Sequence, residues 1–180
     1  MYRLFVALAI PEVVGDALSQ LQYGLDGARW RPPENFHLTL QFIGDVDRHG
    51  LNDVADALSG IAAPMFRLTL SGAGYFGERK PRSVWAGVEP CAGLTHLQSK
   101  VETALRRYGV SLENRKFKPH VTLAYLKGVP LEATMAYCSS HTMFSCGPFP
   151  AKAFHLYTSH LGGDVSHYEL LESYPLSSSM

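Results

Sequence analysis

Hydrophobic and polar residues alternate along the chain in two successive stretches that predict the same kinds of structural element. In the first half, apolar or alternating segments predict strands over residues 2–8, 37–43 and 66–70. A helix that begins near Pro11 is predicted by apolar residues at three-to-four spacing, namely Val13, Val14, Ala17, Leu18 and Leu21. A second helix is predicted over residues 51–58.

The second half repeats this order of elements. Its predicted strands cover residues 83–88, 120–126, 153–157 and 168–171. One long amphipathic helix is marked by apolar residues on a single face, namely Leu94, Leu97, Val101, Leu105 and Tyr108. Together the halves predict a bilobal α+β fold with two similar lobes of antiparallel-rich sheet, outer helices and a central active-site cleft. We expect residues 1–180 to form a single two-lobed domain.

The same kind of four-residue segment occurs once in each half, as His37-Leu38-Thr39-Leu40 and as His120-Val121-Thr122-Leu123. Successive side chains of a strand point to opposite faces, so each histidine shares a face with the threonine two positions later. One such pair is usually no more than a cross-strand contact on a partly exposed sheet. Two copies in matching positions instead indicate two polar faces turned toward one ligand.

Two imidazoles on opposite sides of one phosphate match the needs of in-line displacement at phosphorus. The attacking water loses a proton on one side while the leaving oxygen gains one on the other, and imidazole, with an ordinary pKa of about 6.5, serves either task. Threonine hydroxyls donate hydrogen bonds to the non-bridging oxygens. We therefore expect His37 and His120 to be catalytic and Thr39 and Thr122 to bind substrate, without a metal or other cofactor.

Positive and negative charges balance over the whole chain, so any affinity for nucleic acid has to be local. The 16 basic and 16 acidic residues give a net charge of zero. Half of the basic residues lie in three clusters: Arg29 and Arg31, then Arg79, Lys80 and Arg82, then Arg115, Lys116 and Lys118. We expect Arg115, Lys118, Phe117 and Trp30 to contact the substrate, because such mixtures hold phosphates and stack unpaired bases. The alternative is that the aromatic residues pack in the core and the charges solvate loops.

Cysteine content and hydropathy indicate the setting of the protein. Cys91, Cys138 and Cys146 form an odd set without a CxxC pair, which favours a reducing compartment over a disulfide framework or a structural zinc site. The apolar run over residues 4–10 is followed by Pro11 and Glu12 and predicts a buried strand instead of a secretory signal. We expect a cytoplasmic monomer that is not embedded in a membrane.

The paired motifs resemble those of the 2H phosphoesterase superfamily, and in particular its LigT-like RNA 2′,3′-cyclic phosphodiesterase branch. The resemblance extends beyond the histidine segments to nearly the whole chain. It includes Arg3-Leu4-Phe5-Val6-Ala7 with Pro11, Asn35-Phe36 before the first motif, Phe42-Ile43-Gly44 after it, residues 81–88, Phe117-Lys118-Pro119 before the second motif, and residues 168–176.

This resemblance implies a bilobal enzyme that hydrolyses a terminal 2′,3′-cyclic phosphate to a 2′-phosphomonoester. Carried over by position, His37 is the proton donor and His120 the proton acceptor. The implied partner is RNA with a 2′,3′-cyclic phosphate end, or a cyclic nucleotide. This chain departs from many relatives in one respect, because Tyr125 stands where they have an arginine soon after the second motif.

Three alternatives stay open from the sequence. One is a non-catalytic RNA-binding module on the same fold. Another is a cyclic phosphodiesterase or ligase that acts on a different nucleotide substrate. The third is a metal-dependent hydrolase built on the late histidines His155, His160 and His167, although no HxH, HExxH or carboxylate cluster accompanies them.

Overall fold

The computed structural model describes residues 1–163 and 165–178, which form nine strands and four α-helices. The strands are β1 (Tyr2–Ala9), β2 (Ala28–Trp30), β3 (His37–Val46), β4 (Phe66–Phe76), β5 (Ser83–Val88), β6 (His120–Leu126), β7 (Ser145–Ala151), β8 (Ala153–His160) and β9 (His167–Pro175). The helices are α1 (Glu12–Ser19), α2 (Arg48–Ser59), α3 (Ala92–Arg107) and α4 (Leu131–Ser140). A single 3₁₀ turn, Pro33–Asn35, precedes β3.

Eight of the strands follow one another in the order β7-β4-β5-β6-β3-β1-β8-β9, and β2 pairs with β6 from outside this path. All strand pairs are antiparallel. The two four-stranded halves meet between β3 and β6, where Leu38 pairs with Val121 alone. The predicted α+β fold with two similar antiparallel halves and outer helices is thus confirmed, and both histidine motifs lie on the two strands at the junction.

Helices and sheet share one hydrophobic core. Apolar side chains of β3 and β6, such as Leu38 and Leu123, are buried in the same cluster as Leu58 of α2 and Leu97 of α3. The Asp47 side chain caps α2 by accepting a hydrogen bond from the Gly50 backbone N–H at 2.8 Å. Within the described residues, no helix is both long and apolar enough to span a membrane.

Three elements were not predicted from the sequence. Strand β2 has only three residues, which is too short for an alternating pattern to be recognised. Helix α4 buries just Thr134 and Tyr137, so it lacks an apolar stripe. Strand β7 contains Gly147, Pro148 and Pro150 and therefore resembles a loop in sequence; its position at the edge of the sheet tolerates proline.

Candidate active site

The side chains of the two histidine motifs alternate between the core and the opposite face of the sheet. Leu38 and Leu40 on β3 are buried, whereas His37 and Thr39 are partly exposed. Strand β6 follows the same order: Val121 and Leu123 are buried, whereas His120 and Thr122 are partly exposed. Neither threonine hydroxyl has a hydrogen-bond partner among the described residues, so both are available to a ligand.

Both imidazoles are held by the same kind of hydrogen bond. Nδ1 of His37 lies 2.8 Å from the carbonyl oxygen of Asn35, and Nδ1 of His120 lies 2.6 Å from that of Lys118. A carbonyl oxygen only accepts, so each Nδ1 carries its proton and donates it. In the neutral ring, Nε2 is therefore the nitrogen with a lone pair that accepts a proton.

Aromatic rings fix the orientation of both histidines. The ring of His37 lies 4.9 Å from that of Phe5 and 5.1 Å from that of Tyr168, measured between centroids. The ring of His120 lies 4.8 Å from that of Phe76 and 5.8 Å from that of Trp85. These ring contacts contribute to the desolvation of both imidazoles.

Small residues are the neighbours of both histidines on the adjoining strands. Ala9 of β1 pairs with His37, and Gly87 of β5 pairs with His120. A Cβ atom added at Gly87 would lie 2.6 Å from the backbone oxygen of Ser71, so a larger residue does not fit there. Gly87 therefore allows the backbone of β4 to approach β5 closely beside His120.

Burial shifts the acid-base equilibrium of both histidines toward the neutral imidazole. Desolvation, together with the positive charges of Arg31 and of protonated His120, lowers the pKa of His37 to about 4, against the opposing effect of the Asn35 hydrogen bond. Desolvation also lowers the pKa of His120, against the effect of the Lys118 hydrogen bond. The charge of His120 is the smallest of the effects on the pKa of His37.

Arg31 adjoins the candidate site through Tyr168, although sequence reasoning did not single it out from its basic cluster. It is only 7% exposed, and its Nη2 donates a hydrogen bond to the Tyr168 hydroxyl at 3.2 Å. Its guanidinium carbon lies 5.0 Å from the centre of the Tyr125 ring and 5.9 Å from that of Tyr168. In the sequence, Arg31 is marked only by its position six residues before His37. The sequence does not show that its side chain is buried.

The predicted substrate-binding residues have mixed surroundings. Trp30 packs 5.8 Å from the buried Tyr137 ring, yet it also lines a cavity of about 650 Å³ together with Arg31 and Tyr125. Phe117 packs partly against the core. The exposed Arg115 has Nε 2.7 Å from a Glu113 carboxylate oxygen, and Lys118 is an exposed residue whose backbone carbonyl holds His120.

The late histidines are engaged in contacts within β8 and β9. His155 Nδ1 lies 2.8 Å from the Ser173 hydroxyl, and His160 Nε2 lies 2.7 Å from a Glu169 carboxylate oxygen. The rings of His160 and His167 stack 6.4 Å apart. In residues 1–163 and 165–178, no three His, Cys, Asp or Glu residues are grouped in a way that could hold a metal ion.

Comparison with known proteins agrees with this geometry. The model of the LigT-like phosphoesterase family matches residues 8–85 and 87–166. An RNA 2′,3′-cyclic phosphodiesterase of Thermotoga maritima is 36% identical over 135 residues, covering 71% of this chain and 72% of the relative. One from Geobacillus stearothermophilus is 40% identical over 119 residues, which are 64% of this chain but only 37% of that longer protein.

Solved structures give the same result. The crystal structure of E. coli LigT complexed with 3′-AMP superimposes with a TM-score of 0.80 at 27% sequence identity, and the match covers 98% of each chain. The family model matches well over half of the chain on both sides of the junction between the two halves. The chain therefore belongs to the LigT-like phosphoesterase family.

Proposed function

We propose that this protein is an RNA 2′,3′-cyclic phosphodiesterase that opens a terminal cyclic phosphate to a 2′-phosphomonoester. The observation that carries the proposal is the matched pair of imidazoles, each with Nδ1–H bound to a backbone carbonyl and with no hydrogen-bond partner for Nε2 among the described residues. The names of the T. maritima and G. stearothermophilus relatives support the same substrate class. Besides the attacking water, the proposed reaction uses the side chains of His37, His120, Thr39 and Thr122.

The proposed reaction is an in-line displacement at phosphorus. Nε2 of His120 removes a proton from water as the water oxygen bonds to phosphorus, and the bond from phosphorus to the ribose 3′ oxygen breaks. Nε2–H of His37 gives its proton to that departing oxygen, so the phosphate remains on the 2′ oxygen. The hydroxyls of Thr39 and Thr122 donate hydrogen bonds to the non-bridging oxygens while their charge grows.

The low pKa of His37 connects proton loading to substrate binding. With a pKa of about 4, roughly one His37 ring in a thousand is protonated at neutral pH in the free protein. A bound phosphate anion beside Nε2 favours the imidazolium and raises this pKa. His37 thus becomes an effective acid once the phosphate lies between the two rings.

The roles of the histidines are tested with two substrates that differ in leaving group. An activated phenol departs without a proton, whereas a ribose hydroxyl needs one. His37→Ala should therefore be strongly impaired on a 2′,3′-cyclic phosphate but should recover much of its relative rate on an aryl phosphodiester. His120→Ala should be impaired on both, because water must still be activated.

His96→Ala, on the exposed side of α3, is the matched control and should behave as wild type on both substrates. Rescue of His120→Ala instead of His37→Ala would exchange the two roles. A wild-type protein that binds the cyclic-phosphate RNA without cleaving it would favour the binding-module alternative over the enzyme.

The physiological setting forms part of the same proposal. We propose that residues 1–180 act as one two-lobed, monomeric domain in the cytoplasm. The three cysteines are free thiols, which suits a reducing compartment. Comparing kcat/KM for a cyclic-phosphate oligonucleotide with that for a cyclic mononucleotide establishes whether RNA ends are the preferred substrate.

A further inference from the structure

The guanidinium of Arg31 is a buried positive charge without a carboxylate partner in the described part of the chain. Its side chain has one hydrogen bond there, to the Tyr168 hydroxyl, and two aromatic neighbours, Tyr125 and Tyr168. Aromatic faces and a phenol oxygen replace only part of the hydration that a buried cation has lost. An arginine is normally this deeply buried only when an anion pairs with it. The surroundings of Arg31 therefore suit an anionic ligand.

The backbone around Arg31 is fixed before any ligand arrives. The Arg31 N–H donates a hydrogen bond to the Leu123 carbonyl oxygen at 2.8 Å. The Gln22 side-chain amide donates to the carbonyl oxygens of both Arg31 and Leu123, at 2.7 and 3.1 Å. These bonds join the chain before the first histidine motif to the strand that carries the second. Because this backbone is already fixed, binding of an anion by Arg31 does not have to order it.

Arg31 also lies close to the histidine pair. The Tyr168 ring contacts the His37 ring edge-on at 5.1 Å and accepts the Arg31 hydrogen bond through its hydroxyl. On β6, the carbonyl that binds Arg31 belongs to the residue directly after Thr122. The positive charge of Arg31 contributes to the lowered pKa of His37. A single anion bound over the two motifs would therefore be within the electrostatic reach of this guanidinium.

We propose that Arg31 binds the non-bridging oxygens of the scissile phosphate, with Tyr125 and Tyr168 holding the guanidinium in place. This inference rests on the proposed function for the identity of the phosphate. The planar guanidinium offers two parallel N–H donors to a phosphate, which a lysine ammonium does not. Tyr125 is uncharged and its ring lies against Arg31, so the tyrosine supports the cation without supplying one.

The first test compares Arg31→Met with Arg106→Met, a control on the exposed side of α3 where the arginine pairs with Glu102 at 3.0 Å. Inorganic phosphate is titrated by calorimetry, and 2′,3′-cyclic AMP hydrolysis is measured in parallel. Arg31→Met should bind phosphate about tenfold to a hundredfold more weakly, and its kcat/KM should fall about 10²- to 10³-fold. Arg106→Met should match wild type in both. Unchanged phosphate affinity in a folded Arg31→Met protein would overturn the inference.

The phosphate titration separates this inference from the proposed function. Wild-type protein that binds phosphate through Arg31 but hydrolyses no cyclic phosphate would overturn the enzyme proposal and leave the anion site standing. If wild type hydrolyses the cyclic phosphate and Arg31→Met does so at the same rate, the enzyme proposal stands and the assignment of Arg31 is overturned. If Arg31→Met does not fold, the side-chain Nε–Hε resonance of Arg31 in the wild-type protein is followed by NMR. That resonance should shift as phosphate is added, and a resonance that does not move would overturn the inference.

A second comparison identifies which phosphate Arg31 binds. A dinucleotide with a 2′,3′-cyclic end carries a second, internal phosphate that 2′,3′-cyclic AMP lacks. Binding to the scissile phosphate predicts equal losses of kcat/KM for both substrates in Arg31→Met. A loss confined to the dinucleotide would place the internal phosphate at Arg31 and overturn the assignment. Removing Arg31 should also raise the pKa of His37 in NMR titrations, and an unchanged value would contradict the proximity of the two groups.

Discussion

Burial of His37 should make the stability of the protein depend on pH in a defined way. The folded-state pKa of about 4 lies below the value of 6.5 for an unperturbed histidine, so the unfolded chain binds more protons between these two pH values. The free energy of unfolding should therefore fall as pH decreases from about 6.5 to about 4. The difference of about 2.5 pKa units corresponds to at most about 3 kcal/mol from this one ring.

The perturbation is His37→Asn, and the measurement is urea unfolding followed by circular dichroism at a series of pH values. The substitution also removes ring contacts with Phe5 and Tyr168, which costs stability at every pH. The slope against pH is therefore the informative quantity, and it should be shallower in His37→Asn than in wild type. His96→Asn on the exposed face of α3 should keep the wild-type slope. Equal slopes in His37→Asn and wild type would refute the reasoning.

Three further predictions concern activity and binding. Thr39→Val and Thr122→Val should each lower kcat about tenfold to a thousandfold in steady-state assays, because each variant loses one hydrogen-bond donor to the transition state. Their circular dichroism spectra should stay unchanged, and wild-type kinetics would mean that the threonines are only structural. Activity should survive excess EDTA, and kcat/KM should follow a bell-shaped pH profile set by the two histidines. A loss of activity on chelation that added zinc restores would contradict the two-histidine mechanism. In calorimetry, the affinity for a 2′-phosphomonoester should rise as pH falls from about 7 to about 5, since the bound phosphate favours protonated rings; pH-independent affinity would argue against proton uptake on binding.

The main elements of the fold followed from periodicity because their apolar residues face one shared core. The leucines and the valine of the predicted α3 stripe are buried as the three-to-four pattern requires, whereas Tyr108 follows the helix and is 51% exposed. The predicted alternation is observed over the four residues of each histidine motif at the start of β3 and of β6. The strand order was not predictable, since it depends on which edges meet after folding. The pairing of β2 with β6 also brings a three-residue segment to a distant strand, and so short a segment carries no periodic signal.

The candidate site was predictable where the chemistry is local in sequence. A histidine and a threonine two positions apart share a face of any strand, so the pairing of imidazole and hydroxyl follows from the motif alone. The surroundings of Arg31 depend instead on Tyr125 and Tyr168, which are distant from it in the chain. Burial of a charge at this position is a property of the folded structure, and the sequence shows only that a basic residue precedes the motif.

The two halves give the histidines equal backbone settings but unequal side-chain environments. Each Nδ1 is bound by the carbonyl two residues earlier, so symmetry alone would make the rings interchangeable as acid and base. Phe76 and Trp85 beside His120 are uncharged, whereas His37 feels the positive charge of Arg31. In the free protein this charge disfavours protonation of His37. A bound phosphate offsets the positive charge of Arg31. The imidazolium of His37 is therefore disfavoured in the free protein and becomes easier to form when the anion is present.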